Sequence, residues 1–231
     1  MATLSTSITG PKLSEKSMRT VMLAMPVILI ASTYIAFQVF DAWWGYPLGY
    51  LVGFIFYWTV WCLAFPTYIL GGLGPVIDLF REGKPGIKDL GWKLHLLLWF
   101  WILFPLITIF IPKATQIGLI VLLGSILIGL VIGVTEELLW RGVYIRLFPN
   151  NAWLNMVYPS IMFGLWHISP QSVRASSMPG GVFSFVGYAV FLGLAYAYVA
   201  RKTGSIRWCT LSHVIHDSLG LGALAYLAWF L

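Results

Sequence analysis

The chain has 231 residues, of which 59% are hydrophobic and only 10% charged, with a net charge of +6 at neutral pH. A water-soluble domain of this size carries about a quarter charged residues, and the mean hydropathy here is +0.86, so a soluble globular domain is excluded. The positive charge does not imply nucleic acid. The basic residues punctuate apolar runs, as membrane topology requires, instead of clustering in polar sequence.

Residues 1–18 read as a polar cytosolic tail, in which Lys12 and Lys16, with Arg19 just beyond, precede a long apolar run. That run is too long for a cleaved signal peptide and lacks a small-x-small site, so it reads as a signal anchor. Lipid cannot satisfy exposed backbone groups, and stretches of roughly 20 apolar residues cross it as helices. Spans are predicted at about 20–40, 48–70, 94–111, 115–140, 153–168 and 181–200. The apolar region 207–231 is either one span or two short helices broken near Gly220 and Gly222. The expected fold is therefore all-α, a polytopic transmembrane bundle of seven or eight helices forming one membrane domain over 19–231. The Gly- and Pro-rich stretch 71–91 reads as an interfacial connector.

The basic residues test this layout. With the amino terminus inside, twelve fall on inside segments: Lys12, Lys16, Arg19, Arg81, Lys84, Lys88, Lys93, Arg141, Arg146, Arg201, Lys202 and Arg207. Only Lys113 and Arg174 fall outside, a bias that puts the amino terminus in the cytosol, with the cell membrane the expected location. Trp43, Trp44, Trp92, Trp153 and Trp208 near the ends of apolar runs fit interfacial anchoring. Cys62 and Cys209 lie inside apolar segments and do not suggest a structural disulfide.

Ionisable groups within spans are costly and are functional candidates by default. Here they are Glu136, Glu137, His167, His213, His216 and Asp217, with Arg141 close by; His95, beside Lys93 at the start of a span, reads as a snorkelling interfacial residue. Glu137 and Arg141 are four apart on one helical face, acid first, which favours a local ion pair. Glu136 is rotated by about 100° and has no partner at that spacing. Adjacent carboxylates in low dielectric do not both ionise freely unless a cation offsets one. Arg141 would thus hold Glu137 charged and leave Glu136 for general-base work on a water. The competing reading is a stop-transfer boundary, with Glu–Glu–Arg marking the interface. Phe163 and His167 share a face, and a lone histidine there is more often a packing residue than a catalyst. His213 and Asp217 are again four apart, a spacing at which a carboxylate orients an imidazole. His216 lies on another face, as a helper or a structural residue. Cys209 precedes His213 by four, so a Cys–His nucleophile pair is possible, although cysteines in apolar helices are usually inert. No H-E-x-x-H, G-x-S-G or G-x-G-D motif is present, and no ligand set of standard metal spacing is visible.

In order, Glu136–Glu137–x–x–x–Arg141, Phe163–x–x–x–His167 and His213–x–x–x–Asp217 resemble the CPBP family, which includes the type II CAAX prenyl endopeptidases and bacterial Abi-like proteins. The resemblance covers a catalytic core of about 115–231, and Gly204–Ser205–Ile206 matches how the last motif's helix begins. It implies an intramembrane endopeptidase without cofactor, a divalent metal being the minority alternative. Glu136 would activate the water with His167 as partner, Glu137 and Arg141 would organise the site, and His213 and residue 217 would stabilise the oxyanion. This chain has Asp217 where Asn is commoner in the family; an ionised carboxylate cannot donate to an oxyanion, so Asp217 is protonated, pairs with His213, or serves otherwise.

The expected partner is a peptide or protein substrate, prenylated or otherwise membrane-associated, reached from the cytosolic side of the bilayer. The alternatives are a non-proteolytic scaffold or immunity factor and, given no repeated half, less readily a transporter with a proton relay. Counting ~1.5 Å per residue from these boundaries puts His167 roughly 20 Å deep, but Glu136 and His213 only about 10 Å. Either the helix after Asn150 begins inside the membrane or the fourth span continues to Phe148.

Overall fold

The computed structural model describes residues 14–81 and 86–228. Lys12, Lys84 and most of the 1–18 tail lie outside them. Helix α1, Glu15–Trp44, begins where Ser14 caps it by accepting from the Ser17 amide. It is followed by α2, Leu48–Leu70, and by α3, Leu73–Arg81, a helix inside the expected connector. The chain continues through α4, Trp92–Lys113, and α5, Leu119–Leu147. Then come α6 over 153–166, a short turn Ile168–Gln171, α7, Gly181–Thr203, α8, Arg207–Leu219, and a last turn Ala223–Tyr226. Among the described residues there is no strand.

Among the described residues, five helices (α1, α2, α4, α5 and α7) are long and apolar enough to cross a membrane. These five do not by themselves establish the expected seven or eight, and the reason is length. With ~1.5 Å of rise per residue, α6 and α8 span only about 20 Å of the ~30 Å hydrocarbon core. The apolar run at 153–168 counts residues that turn at His167, ahead of Pro170, and the 207–231 run is broken at Gly220–Gly222, where Leu221 adopts φ 53. Of the two forms expected for that region, the broken one is observed. Short helices at this depth are tolerated when protein, not lipid, surrounds their ends.

Burial is inverted relative to a soluble protein. Val27, Ile35, Ile107, Leu119, Ile120 and Phe183 point outward, while Thr33, Ser125, Glu137, Arg141 and Ser212 are fully or almost fully buried. The outward apolar girdle and the polar interior are what lipid as solvent demands. These helices make a multi-pass integral membrane protein.

Each end of the bundle is tied by an arginine over an aromatic ring and by tyrosine hydroxyls on backbone carbonyls. At one end Arg19 lies over the Phe148 ring, Tyr144 donates to the Met22 carbonyl at 2.9 Å, and Tyr158 donates to the Leu23 carbonyl. At the other, Arg174 lies over the Tyr46 ring at 4.2 Å and hydrogen-bonds its hydroxyl, which in turn donates to the Ala225 carbonyl.

Helices α5 and α8 run antiparallel in very close contact. A Cβ on Gly133 would lie 2.7 Å from a Val214 methyl and 2.8 Å from the Val214 nitrogen, and one on Gly129 would lie 2.8 Å from the Ser218 nitrogen. Gly129 and Gly133 form a small-x-x-x-small stripe, the pattern that lets membrane helices approach backbone to backbone. This contact sets how closely the carboxylates of α5 meet the histidines of α8. Gly133→Leu is therefore expected to push α8 away and lower thermal stability in detergent by about 2 kcal/mol or more, as overpacking does. A midpoint equal to wild type would contradict so close an approach.

Candidate active site

The carboxylates stand near the carboxy-terminal part of α5, where the helix widens into π-type turns over Leu138–Val143 without breaking. Glu136, Glu137 and Arg141 are 3%, 0% and 1% exposed. That burial places the three inside the helix bundle, where a stop-transfer boundary would have left them on its surface. It also bears on the depth conflict: α5 continues to Leu147, so Glu136 sits ~16 Å from that helix end, comparable with ~21 Å for His167 at the far end of α6.

Arg141 Nη1 lies 3.0 Å from Glu137 Oε1, the local pair expected from the spacing. The contact is an ion pair without hydrogen-bond alignment, and Arg141 Nη1 and Nη2 and Glu137 Oε2 have no hydrogen-bond partner. The guanidinium is held instead by rings, its Cζ 4.6 Å from the centroid of Phe163 and 5.9 Å from that of Tyr196. Such cation–π contacts suit a weakly hydrated guanidinium inside an apolar bundle.

His213, 3% exposed on α8, crosses to α5 and joins both glutamates. Its Nδ1 donates to Glu137 Oε1 at 2.8 Å, while Nε2 lies 3.3 Å from Asp217 Oδ2 and 3.9 Å from Glu136 Oε2. Each ring nitrogen thus faces a carboxylate, a setting in which both nitrogens act as donors. Glu136 alone among the three acids is engaged by no cation within hydrogen-bond distance.

Asp217 is an acceptor here. Besides facing His213, its Oδ1 accepts from His216 Nδ1 at 2.8 Å. This is the pairing option among those open for a carboxylate at that position.

His167 stands just past the end of α6, half-buried, and is not bonded to Glu136. Its Nδ1 donates to the Phe163 carbonyl at 2.8 Å, which leaves Nε2 of the neutral ring as the lone-pair nitrogen. Phe163 links the two histidines, with centroids 4.7 Å from His167 and 6.4 Å from His213, both edge to face. The His167 ring is further fixed by Trp166 at 4.7 Å and Phe185 at 5.2 Å.

Several supporting residues carried no signal in the sequence. Tyr196 donates to Ser212, which donates to the Leu98 carbonyl, tying α7, α8 and α4 together under His213. Trp140 donates to Tyr57 at 2.8 Å, and the Tyr57 ring stacks on Trp166 at 3.7 Å. His95 accepts from Trp99 within α4, away from the cluster.

The Cys209 thiol is fully buried and donates to the Ile206 carbonyl at 3.0 Å. It has no bond to His213, and a buried apolar setting leaves a thiol unreactive. Cys209→Ser is expected to change activity by less than about threefold; complete loss in a folded variant would revive the Cys–His pair.

Among the described residues, no three His, Cys, Asp or Glu side chains converge in an arrangement able to hold a metal ion. No curated protein and no solved structure matches the chain. Residues 118–219, which contain every member of the cluster, match the family model described as type II CAAX prenyl endopeptidase Rce1-like. Over that segment, which is less than half of its length, the chain is similar to that protease family.

Proposed function

We propose that the chain is an intramembrane glutamate-type endopeptidase, hydrolysing a peptide bond of a prenylated or otherwise membrane-associated substrate that enters from the cytosolic side. The observation that carries this reading is the buried Glu136, adjacent to the Glu137–Arg141 pair and facing His213 Nε2 at 3.9 Å. Arg141 and His213 both serve Glu137, so Glu136 is the carboxylate left to take a proton from water. His167, its Nδ1–H committed to Phe163, would present Nε2 to the same water. As the tetrahedral centre forms, His213 Nε2–H would turn from Asp217 to the oxyanion, in a low-dielectric site where such donors act most strongly.

The metal-free form is preferred because both nitrogens of His213 are directed at the carboxylates of Glu137 and Asp217, so that of the His167 and His213 pair His167 Nε2 alone keeps a lone pair to offer a metal. We place the amino terminus in the cytosol of the cell membrane, with Arg19, Arg146 and Arg201 at the inner end and Arg174 at the outer. The short α6 and α8 complete a seven-helix bundle in this reading, sheltered by the five longer helices.

The test is cleavage by purified protein after exhaustive chelation, with elemental analysis of the same sample. Undiminished cleavage without stoichiometric metal supports the glutamate mechanism. Loss on chelation with recovery on adding zinc would replace it with a metallopeptidase mechanism.

A further inference from the structure

The cluster does not end at Asp217. His216 Nδ1 lies 2.8 Å from Asp217 Oδ1, and His216 Nε2 lies 2.8 Å from the hydroxyl of Tyr188 on α7. The bonds have a direction. A carboxylate can only accept, so His216 Nδ1 carries the proton; the neutral ring then offers Nε2 as an acceptor, and Tyr188 donates to it. Tyr188 is itself fixed from outside the site. Its ring meets Trp101 edge to face at 5.3 Å and Phe104 at 5.2 Å, both on α4, and stacks on His216 at 5.9 Å and 26°. With Oδ1 held by His216, the other carboxylate oxygen faces His213 Nε2 at 3.3 Å, the same nitrogen that faces Glu136.

We propose that Tyr188 and His216 are positioning residues that fix the Asp217 carboxylate, and through it hold His213 Nε2–H beside Glu136, from where it turns to the oxyanion as the tetrahedral centre forms. Resting on the peptidase reading, this assigns a purpose to the acid at position 217. An amide there would donate to an oxyanion directly. The carboxylate here is an acceptor that His216 holds in place, so the donor role falls on His213 alone and its aim depends on the line behind it. Packing alone would ask only that rings of the right size occupy positions 188 and 216. The line asks for a donor on each.

The full chain in lipid nanodiscs with ¹⁵N-labelled histidine tests this by NMR. Wild type is expected to show His216 protonated at Nδ1 and bare at Nε2, and Tyr188→Phe should move the Nε2 resonance. A protonated Nε2, or an Nε2 resonance that Tyr188→Phe leaves in place, overturns the proposal.

Cleavage kinetics add a second reading. Asn mimics the Nδ1 side of His216 and Gln the Nε2 side. His216→Asn is therefore expected to keep kcat within about threefold, while His216→Gln loses about tenfold in kcat at unchanged KM, the size of one hydrogen bond. Equal losses in the two variants would overturn the proposal. If wild type cleaves no peptide, the peptidase reading fails by itself, and the NMR result still decides the bond line.

Discussion

Glu136→Gln is expected to lower kcat for peptide cleavage by about 10³-fold, within the range lost with a general base, while the protein stays folded. The amide is nearly isosteric with the carboxylate and cannot take a proton from water. Little structural cost is expected, because Glu136 makes no ion pair at hydrogen-bond distance; its nearest cationic partner is His213 Nε2 at 3.9 Å. Glu137→Gln should behave differently. It removes the negative charge that Arg141 and His213 share, so it should reduce stability together with activity. Single-turnover cleavage and thermal melts on the same samples separate the two. Cleavage by Glu136→Gln within tenfold of wild type would remove Glu136 from the role of base.

Arg141→Met carries the largest expected effect on stability. Arg141 is 1% exposed and Glu137 0%, and breaking a buried pair by removing one partner costs about 3–5 kcal/mol, since the remaining charge is left uncompensated. His213 still faces Glu137, which places the loss toward the lower end. The Glu137→Gln/Arg141→Met double variant should recover part of the stability, because the stranded charge is then gone, and so should fall short of the sum of the single losses. Unfolding in detergent mixtures reads both. A single variant within 1 kcal/mol of wild type, roughly the value of an exposed pair, would show that the pair is not sheltered from solvent as the structure has it.

The sequence displayed what is local. The i, i+4 rule puts Glu137 with Arg141 and His213 with Asp217, and the structure has these contacts at 3.0 and 3.3 Å. It could not display what comes from tertiary packing. The bond between His213 and Glu137 joins residues 76 apart in the chain, and it exists because Gly129 and Gly133 let α8 lie against α5. That glycine stripe was visible as a pattern, although nothing in it named the partner helix. Tyr188 and His216, 28 apart on different helices, carry no joint signal. The helices at 153–168 and 207–231 are shorter than their apolar runs because apolar composition does not reveal where a helix stops; His167–Pro170 and Gly220–Gly222 end them early. For the depth of Glu136 the sequence left two layouts open, and α5 running on to Leu147 matches the one in which the fourth span continues to Phe148. Polar Arg141 looks like a membrane boundary in one dimension, but is a buried cation covered by Phe163 and Tyr196 in three.

The most direct measurement uses the purified full chain in lipid nanodiscs with a panel of peptides, with and without an isoprenyl group on cysteine, and mass spectrometry to locate new termini. The account predicts one defined cleavage site in wild type, lost in both Glu136→Gln and His167→Ala while both variants keep their helical content. Cleavage of the same bond at the wild-type rate by both variants, or an intact panel with folded wild type, would contradict the account, the second outcome favouring a scaffold.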